Sequence, residues 1–81
     1  MIKEAISRVV SGLNLEENEM EGVMTEILTG KATPAQIGAF LTGMRIKGET
    51  EEEITAAAKV MRDKAAKIHI NNGLVNIDRD E

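Results

Sequence analysis

The chain has 81 residues, of which 42% are apolar, and 14 acidic against 10 basic side chains give a formal net charge of −4. This is one small domain with enough apolar material to bury a core, which excludes wholesale disorder. The absence of Cys excludes disulfides, thiolate metal sites and a cysteine nucleophile, and no apolar run approaches the about 20 residues that a bilayer span needs.

Four helices are expected, in an all-α bundle. The first covers residues 2–11, where Ile2, Ala5, Ile6, Val9 and Val10 follow the spacing of one helical stripe and Gly12 stands as the stop. The second covers residues 16–28. Glu16, Glu17 and Glu19 favour the positive end of the helix dipole, Met20, Val23, Met24, Ile27 and Leu28 form the inward stripe, and Gly30 ends it. The third has the clearest start: Thr33 as N-cap, Pro34 at the first helical position and Gln36 completing a capping box. It is expected to run to residue 46 or 47, with Ile37, Phe40, Leu41 and Met44 facing the core and Gly48 past its end. The fourth opens on a second capping box, Thr50-Glu51-Glu52-Glu53, and carries Ile54, Ala57, Ala58, Val60, Met61 and Ala65 inward to about residue 67. Helix is then well above the third usual in globular proteins.

The remainder reads differently. Ile68-His69-Ile70 and Leu74-Val75-Asn76-Ile77 alternate around Asn71-Asn72-Gly73, a hairpin signal. Two short strands are not stable alone. The expected organisation is therefore a helical domain over residues 1–67 and a short extended C-terminal tail, residues 68–81, whose strand-like part needs a larger sheet to join.

No catalytic constellation emerges. Gly30-Lys31 lacks the glycine five residues earlier and the Ser or Thr directly after Lys that a phosphate loop requires; Thr25 and Ala32 stand there. His69 is the only histidine and has no partner at a recognisable spacing. Glu49, Glu51 and Glu52 are explained by the helix dipole, and Glu53 by its capping box. Asp78 and Asp80 lack the glycine and closing glutamate of a calcium loop. Catalytic, cofactor-binding and metal-binding residues are therefore expected to be none. Scattered basic residues, most of them close to an acid, argue against nucleic acid as a partner. Met1-Ile2-Lys3-Glu4 does not have the profile of a secretory leader, so a cytoplasmic location is expected.

Gly38 and Gly43 stand inside the third helix, although an interior Gly costs about 1 kcal/mol relative to Ala. Three readings stay open: close approach by a helix of the same bundle, approach by a second subunit, or a helix-turn-helix reader with little beyond Gln36, Arg45 and Lys47 to offer DNA.

The run Leu28-Thr29-Gly30-Lys31-Ala32-Thr33-Pro34-Ala35-Gln36-Ile37-Gly38-Ala39-Phe40-Leu41, followed by Met44-Arg45-Ile46-Lys47-Gly48-Glu49-Thr50 and a Glu-rich helix start, resembles the N-terminal helical domain of the anthranilate phosphoribosyltransferases. The pyrimidine-nucleoside phosphorylases share its outline. The resemblance implies a parent enzyme that moves a phosphoribosyl group from phosphoribosyl pyrophosphate, held with magnesium by a Gly-Thr-Gly-Gly-Asp loop, to the amine of anthranilate in tryptophan biosynthesis. That loop does not occur in these 81 residues, so no substrate, cofactor or metal residue carries over and the isolated chain is expected to be inactive. The region is similar to a dimer-forming element and one side of a domain hinge, with residues 68–81 as the link towards a missing α/β domain.

A single core near 80 residues rarely supplies more than about 3–5 kcal/mol unaided, so an apolar helical surface here suggests homodimeric association. Ile2, Ile6 and Val9 of the first helix and Gly38, Leu41, Thr42 and Arg45 of the third are the candidate association face. A stand-alone protein-interaction module, or the phosphorylase domain, is the alternative.

Overall fold

The computed structural model describes the backbone of residues 1–72 and the side chains of residues 1–65. It contains α1 (Ile2–Val10), α2 (Glu17–Leu28), α3 (Pro34–Lys47) and α4 (Glu51–Asn72), and all regular structure among the described residues is helical. The helical bundle expected from the periodicity is therefore present. One boundary differs. Residues 68–72, assigned to a strand and turn by their alternation, continue α4. Once a helix is established, each added residue gains a hydrogen bond at little cost, whereas a strand here has no sheet to join. The rest of the expected tail, residues 73–81, lies outside the described residues.

The caps explain where the helices begin and end. At α3 the Thr33 hydroxyl accepts the Gln36 N–H at 3.1 Å, while the Gln36 side-chain oxygen accepts the Thr33 N–H at 3.0 Å, with Pro34 at the first position. At α2, Glu16 is the N-cap, and the Glu19 carboxylate accepts its N–H at 2.8 Å. The C-terminus of α1 closes with Gly12 N–H to the Val9 carbonyl and Leu13 N–H to the Arg8 carbonyl. The C-terminus of α2 closes in the same way, with Gly30 N–H to Ile27 and Lys31 N–H to Glu26. This paired pattern satisfies the last carbonyls and requires the left-handed φ that Gly12 and Gly30 supply.

The helices pack as two pairs, α1 on α3 and α2 on α4, joined by a smaller α1–α2 contact. Gly43 of α3 lies against Val9 and Val10 of α1, both near helix C-termini, so this pair runs parallel. In the other pair Lys59 of α4 reaches Glu21 of α2 at 3.5 Å, and Leu15, just before α2, meets Glu53 in the first turn of α4. That pair is parallel as well. Between the pairs the direction reverses: the Glu26 carboxylate near the end of α2 accepts the Ile2 N–H at the start of α1, at 3.1 Å.

The core consists of Ile2, Ala5, Val9, Leu15, Met20, Val23, Phe40, Met44 and Ala56, with Ile6, Met24, Ile27, Ala32 and Ala57 packed around it. Phe40 is wholly buried at its centre, and burying a side chain of that size is worth about 1.5–3 kcal/mol. Several residues of the expected stripes lie outside it. Val10, Leu28, Leu41, Ile54 and Met61 are exposed, while Glu53 is completely buried on the inward side of α4.

Candidate functional site

Two features stand out on this scaffold, an apolar groove on its surface and a charged centre inside it. The groove, of about 330 Å³, runs between α1 and α3 and is lined by Val10, Gly38, Ala39, Thr42, Gly43 and Ile46. Ile46 is 81% exposed and Val10 63% exposed, large values for aliphatic side chains. Leu41 and Arg45, also exposed, continue this outward face of α3. The structure thus brings together Gly38, Leu41, Thr42 and Arg45, four of the seven residues of the expected association face. It places Ile2 and Val9 in the core and Ile6 half-buried against it. The reason is that their side of α1 covers Phe40 and Met44 instead of solvent.

The two interior glycines of α3 have different causes. A Cβ on Gly43 would stand 2.7 Å from Val9 Cγ2 and 3.2 Å from Val10 Cγ1, so Gly43 permits the close approach of α1 within this chain. A Cβ on Gly38 would meet nothing within 4 Å. Gly38 answers to no neighbour among the described residues. Sequence reasoning missed Val10, which it counted inward, and Ile46. The available signal was that Ile46 lies off the Ile37-Phe40-Met44 stripe of its own helix.

The inner centre joins Lys47, at the end of α3, to Glu53, in the first turn of α4. Their side chains are 3% and 0% exposed, and Nζ lies 2.8 Å from the carboxylate. Glu53 accepts three bonds: from Lys47 Nζ, from the Thr50 N–H at 2.9 Å and from the Leu15 N–H at 2.6 Å. Lys47 also donates to Asn14 Oδ1 at 3.0 Å and to the Gly48 carbonyl at 2.8 Å, so its three protons are all used. The Thr50 hydroxyl closes the capping box by accepting the Glu53 N–H at 3.1 Å. Burial by itself pushes the Glu53 carboxyl up, but the Leu15 N–H, the Lys47 ammonium and the Thr50 N–H together outweigh it and hold the group below its ordinary 4.5. The capping box of Glu53 was legible in the sequence; its burial, and its pairing with Lys47, were not.

Among the described residues no three His, Asp or Glu side chains converge as a metal site would require. The Gly30–Thr33 turn is a helix end followed by an N-cap. Glu51 and Glu52 are exposed at the start of α4, apart from the inward Glu53, and His69 lies beyond the described side chains.

Residues 3–65 match the model of the glycosyl transferase family, helical bundle domain. The chain belongs to that family. As one of its helical domains, it is 57% identical over its whole length to the anthranilate phosphoribosyltransferase of Geobacter sulfurreducens, and equally to that of Pelobacter propionicus. It is 54% identical to the enzyme of Syntrophotalea carbinolica. In each case the chain corresponds to the N-terminal part and spans 23% of the relative's length. The match is therefore to the N-terminal helical domain of that enzyme, and it favours this reading over a phosphorylase domain or a stand-alone module. No helix among the described residues is long and apolar enough to cross a membrane.

Proposed function

We propose that this chain serves as the association and hinge unit of an anthranilate phosphoribosyltransferase. The reading is carried by the 57% identity over the whole of the chain. The whole enzyme, acting in the cytoplasm in tryptophan biosynthesis, would transfer phosphoribosyl from phosphoribosyl pyrophosphate to the amine of anthranilate. These 81 residues do not fit phosphoribosyl pyrophosphate with magnesium. They contain no Gly-Thr-Gly-Gly-Asp loop, and no acidic cluster converges among the described residues. Both ligands then belong to an α/β domain outside this chain, and the chain by itself is inert.

Its own role is association. The exposed face of Gly38, Leu41, Thr42, Arg45 and Ile46, with Val10 beside it, offers a second copy an apolar strip on a rigid helix, and the open side of Gly38 admits close backbone approach. Sedimentation across a wide concentration range tests this, with titration by phosphoribosyl pyrophosphate and magnesium alongside. A reversible dimer with no binding heat is the expected result. A monomer at every concentration removes the dimer, and micromolar binding removes the claim that the ligand site lies elsewhere.

A further inference from the structure

Apart from the Lys47–Glu53 centre, the directional contacts among the described residues that cross between the two helix pairs all join α1 to α2 and lie at least partly in solvent: the Ile2 N–H bond to Glu26 and the Met1–Glu26 and Arg8–Glu19 ion pairs. Among the described residues, α3 and α4 are joined by three residues and scarcely touch along their lengths, and the one substantial helix–helix contact between the pairs is that of α1 with α2. The core cluster, centred on Phe40 and taken with the residues packed around it, also has adaptable and small members. It includes Met20, Met24 and Met44, whose side chains adapt to more than one shape, and the small Ala5, Ala56 and Ala57. Such a core resists opening but discriminates weakly between one crossing angle and another, because burial is non-directional.

The Lys47–Glu53 centre supplies what the core lacks. Its five bonds reach four separate pieces of chain: the end of α3, the loop after it, the loop between α1 and α2, and the start of α4. Two of these belong to the α1/α3 pair and its exit, and two to the entrance of the α2/α4 pair. Every donor and acceptor there has a fixed direction, and a small rotation of one pair against the other would strand a buried charge. Buried ion pairs are weak devices for stability, and their best-attested use is to select one arrangement among several.

We propose that the buried Lys47–Glu53 pair, with Asn14, Leu15 and Thr50, is a conformational pin that sets the angle between the α1/α3 and α2/α4 pairs and makes them one rigid body. The apolar face of α3 is then presented in a single orientation relative to α4. The proposal stands whether or not that face binds a second copy.

The chain has no Cys, so a pair of spin labels can be placed without background on Ala35 and Arg62, both exposed. These lie at the start of α3 and well along α4, far from the pin, where a change of angle is magnified. A single narrow distance is expected in the otherwise unsubstituted protein. With Lys47→Met and Glu53→Leu introduced together, helix content should persist while the distance becomes broad or twofold. A distribution as narrow as the first, or a broad one already present before the pin is removed, overturns the proposal. Should the double variant fail to fold, amide exchange of the unsubstituted chain decides. The Leu15 N–H should exchange as slowly as that of Val23 in the core, and exchange about a hundredfold faster would mean that the pin opens locally and fixes nothing.

Discussion

Replacing Gly38 and Gly43 separately by Ala tests the packing of α3 with the chemistry held constant. Both sit inside the same helix, so each substitution gains about 1 kcal/mol of helix propensity. At Gly38 the new methyl enters open space, and the gain should be kept. At Gly43 it enters a gap 2.7 Å from Val9 Cγ2 and 3.2 Å from Val10 Cγ1, tighter than van der Waals contact allows. Val9 is 2% exposed and β-branched, so it cannot swing aside into another rotamer without disturbing its neighbours. Overpacking of this kind costs about 1–3 kcal/mol. The net effect at Gly43 is then between neutral and about 2 kcal/mol destabilising, and the two variants should differ by roughly 1–3 kcal/mol, a sizeable share of what this core can supply. Urea unfolding followed by circular dichroism at low protein concentration, where association does not contribute, measures the difference. Equal stabilisation by both substitutions would show that α1 does not approach α3 at Gly43. The larger Gly43→Leu should cost several kcal/mol in the monomer itself, because the crowding is within the chain and needs no second subunit.

Glu53→Ala strands the Lys47 ammonium and two backbone N–H groups in the interior, and a loss of about 3–5 kcal/mol is expected in the same unfolding assay; a loss below about 1 kcal/mol would mean that the centre is solvated. Since the Glu53 carboxyl titrates lower in the folded protein than its ordinary 4.5, the folded state binds fewer protons there. Its contribution is complete above that value and falls away as the pH drops through the folded value. Stability measured from neutral pH downwards should accordingly decline in the acid range, and Glu53→Gln should remove that part of the decline. Thr33→Ala deletes the N-cap of α3 and should cost about 1 kcal/mol, read as a shifted urea midpoint with an unchanged slope. Leu41→Glu places a charge on the exposed face of α3, which should weaken dimerisation by at least about tenfold in sedimentation while leaving helix content unchanged; an unaltered dimer would move the interface elsewhere.

The secondary structure was largely legible in the sequence because its determinants are local. Thr33, Pro34 and Gln36 cap α3 through atoms within four residues, and Gly12, Gly30 and Gly48 end three helices by a backbone conformation that depends on no distant partner. The family was legible for a related reason, since the run from Gly30 to Thr50 combines caps, stops and small residues in an order that few folds share. The end of α4 was not legible. The alternation at residues 68–72 is compatible with a strand only where a sheet exists to receive it, and the helix already under way took those residues.

Which face of each helix turns inward was decided by the tertiary structure. On α4, Ile54, Ala58, Met61 and Ala65 form one helical stripe, and Glu53, Ala57 and Val60 form another beside it. Periodicity cannot choose between neighbouring stripes. The choice fell on the one containing a carboxylate, because Lys47, Leu15 and Thr50 converge there with donors that water no longer serves. Val10 and Ile46 were left outside by the same kind of event: Gly43 draws α1 against α3 at one angle, and whatever lies beyond that line of contact stays in solvent. The order of caps and stops along 81 residues determined four helices and, except for the end of α4, their bounds to within a turn. Their pairing, the buried charge and the exposed face arose only when side chains far apart in sequence met, since burial and hydrogen-bond satisfaction are properties of the assembled chain.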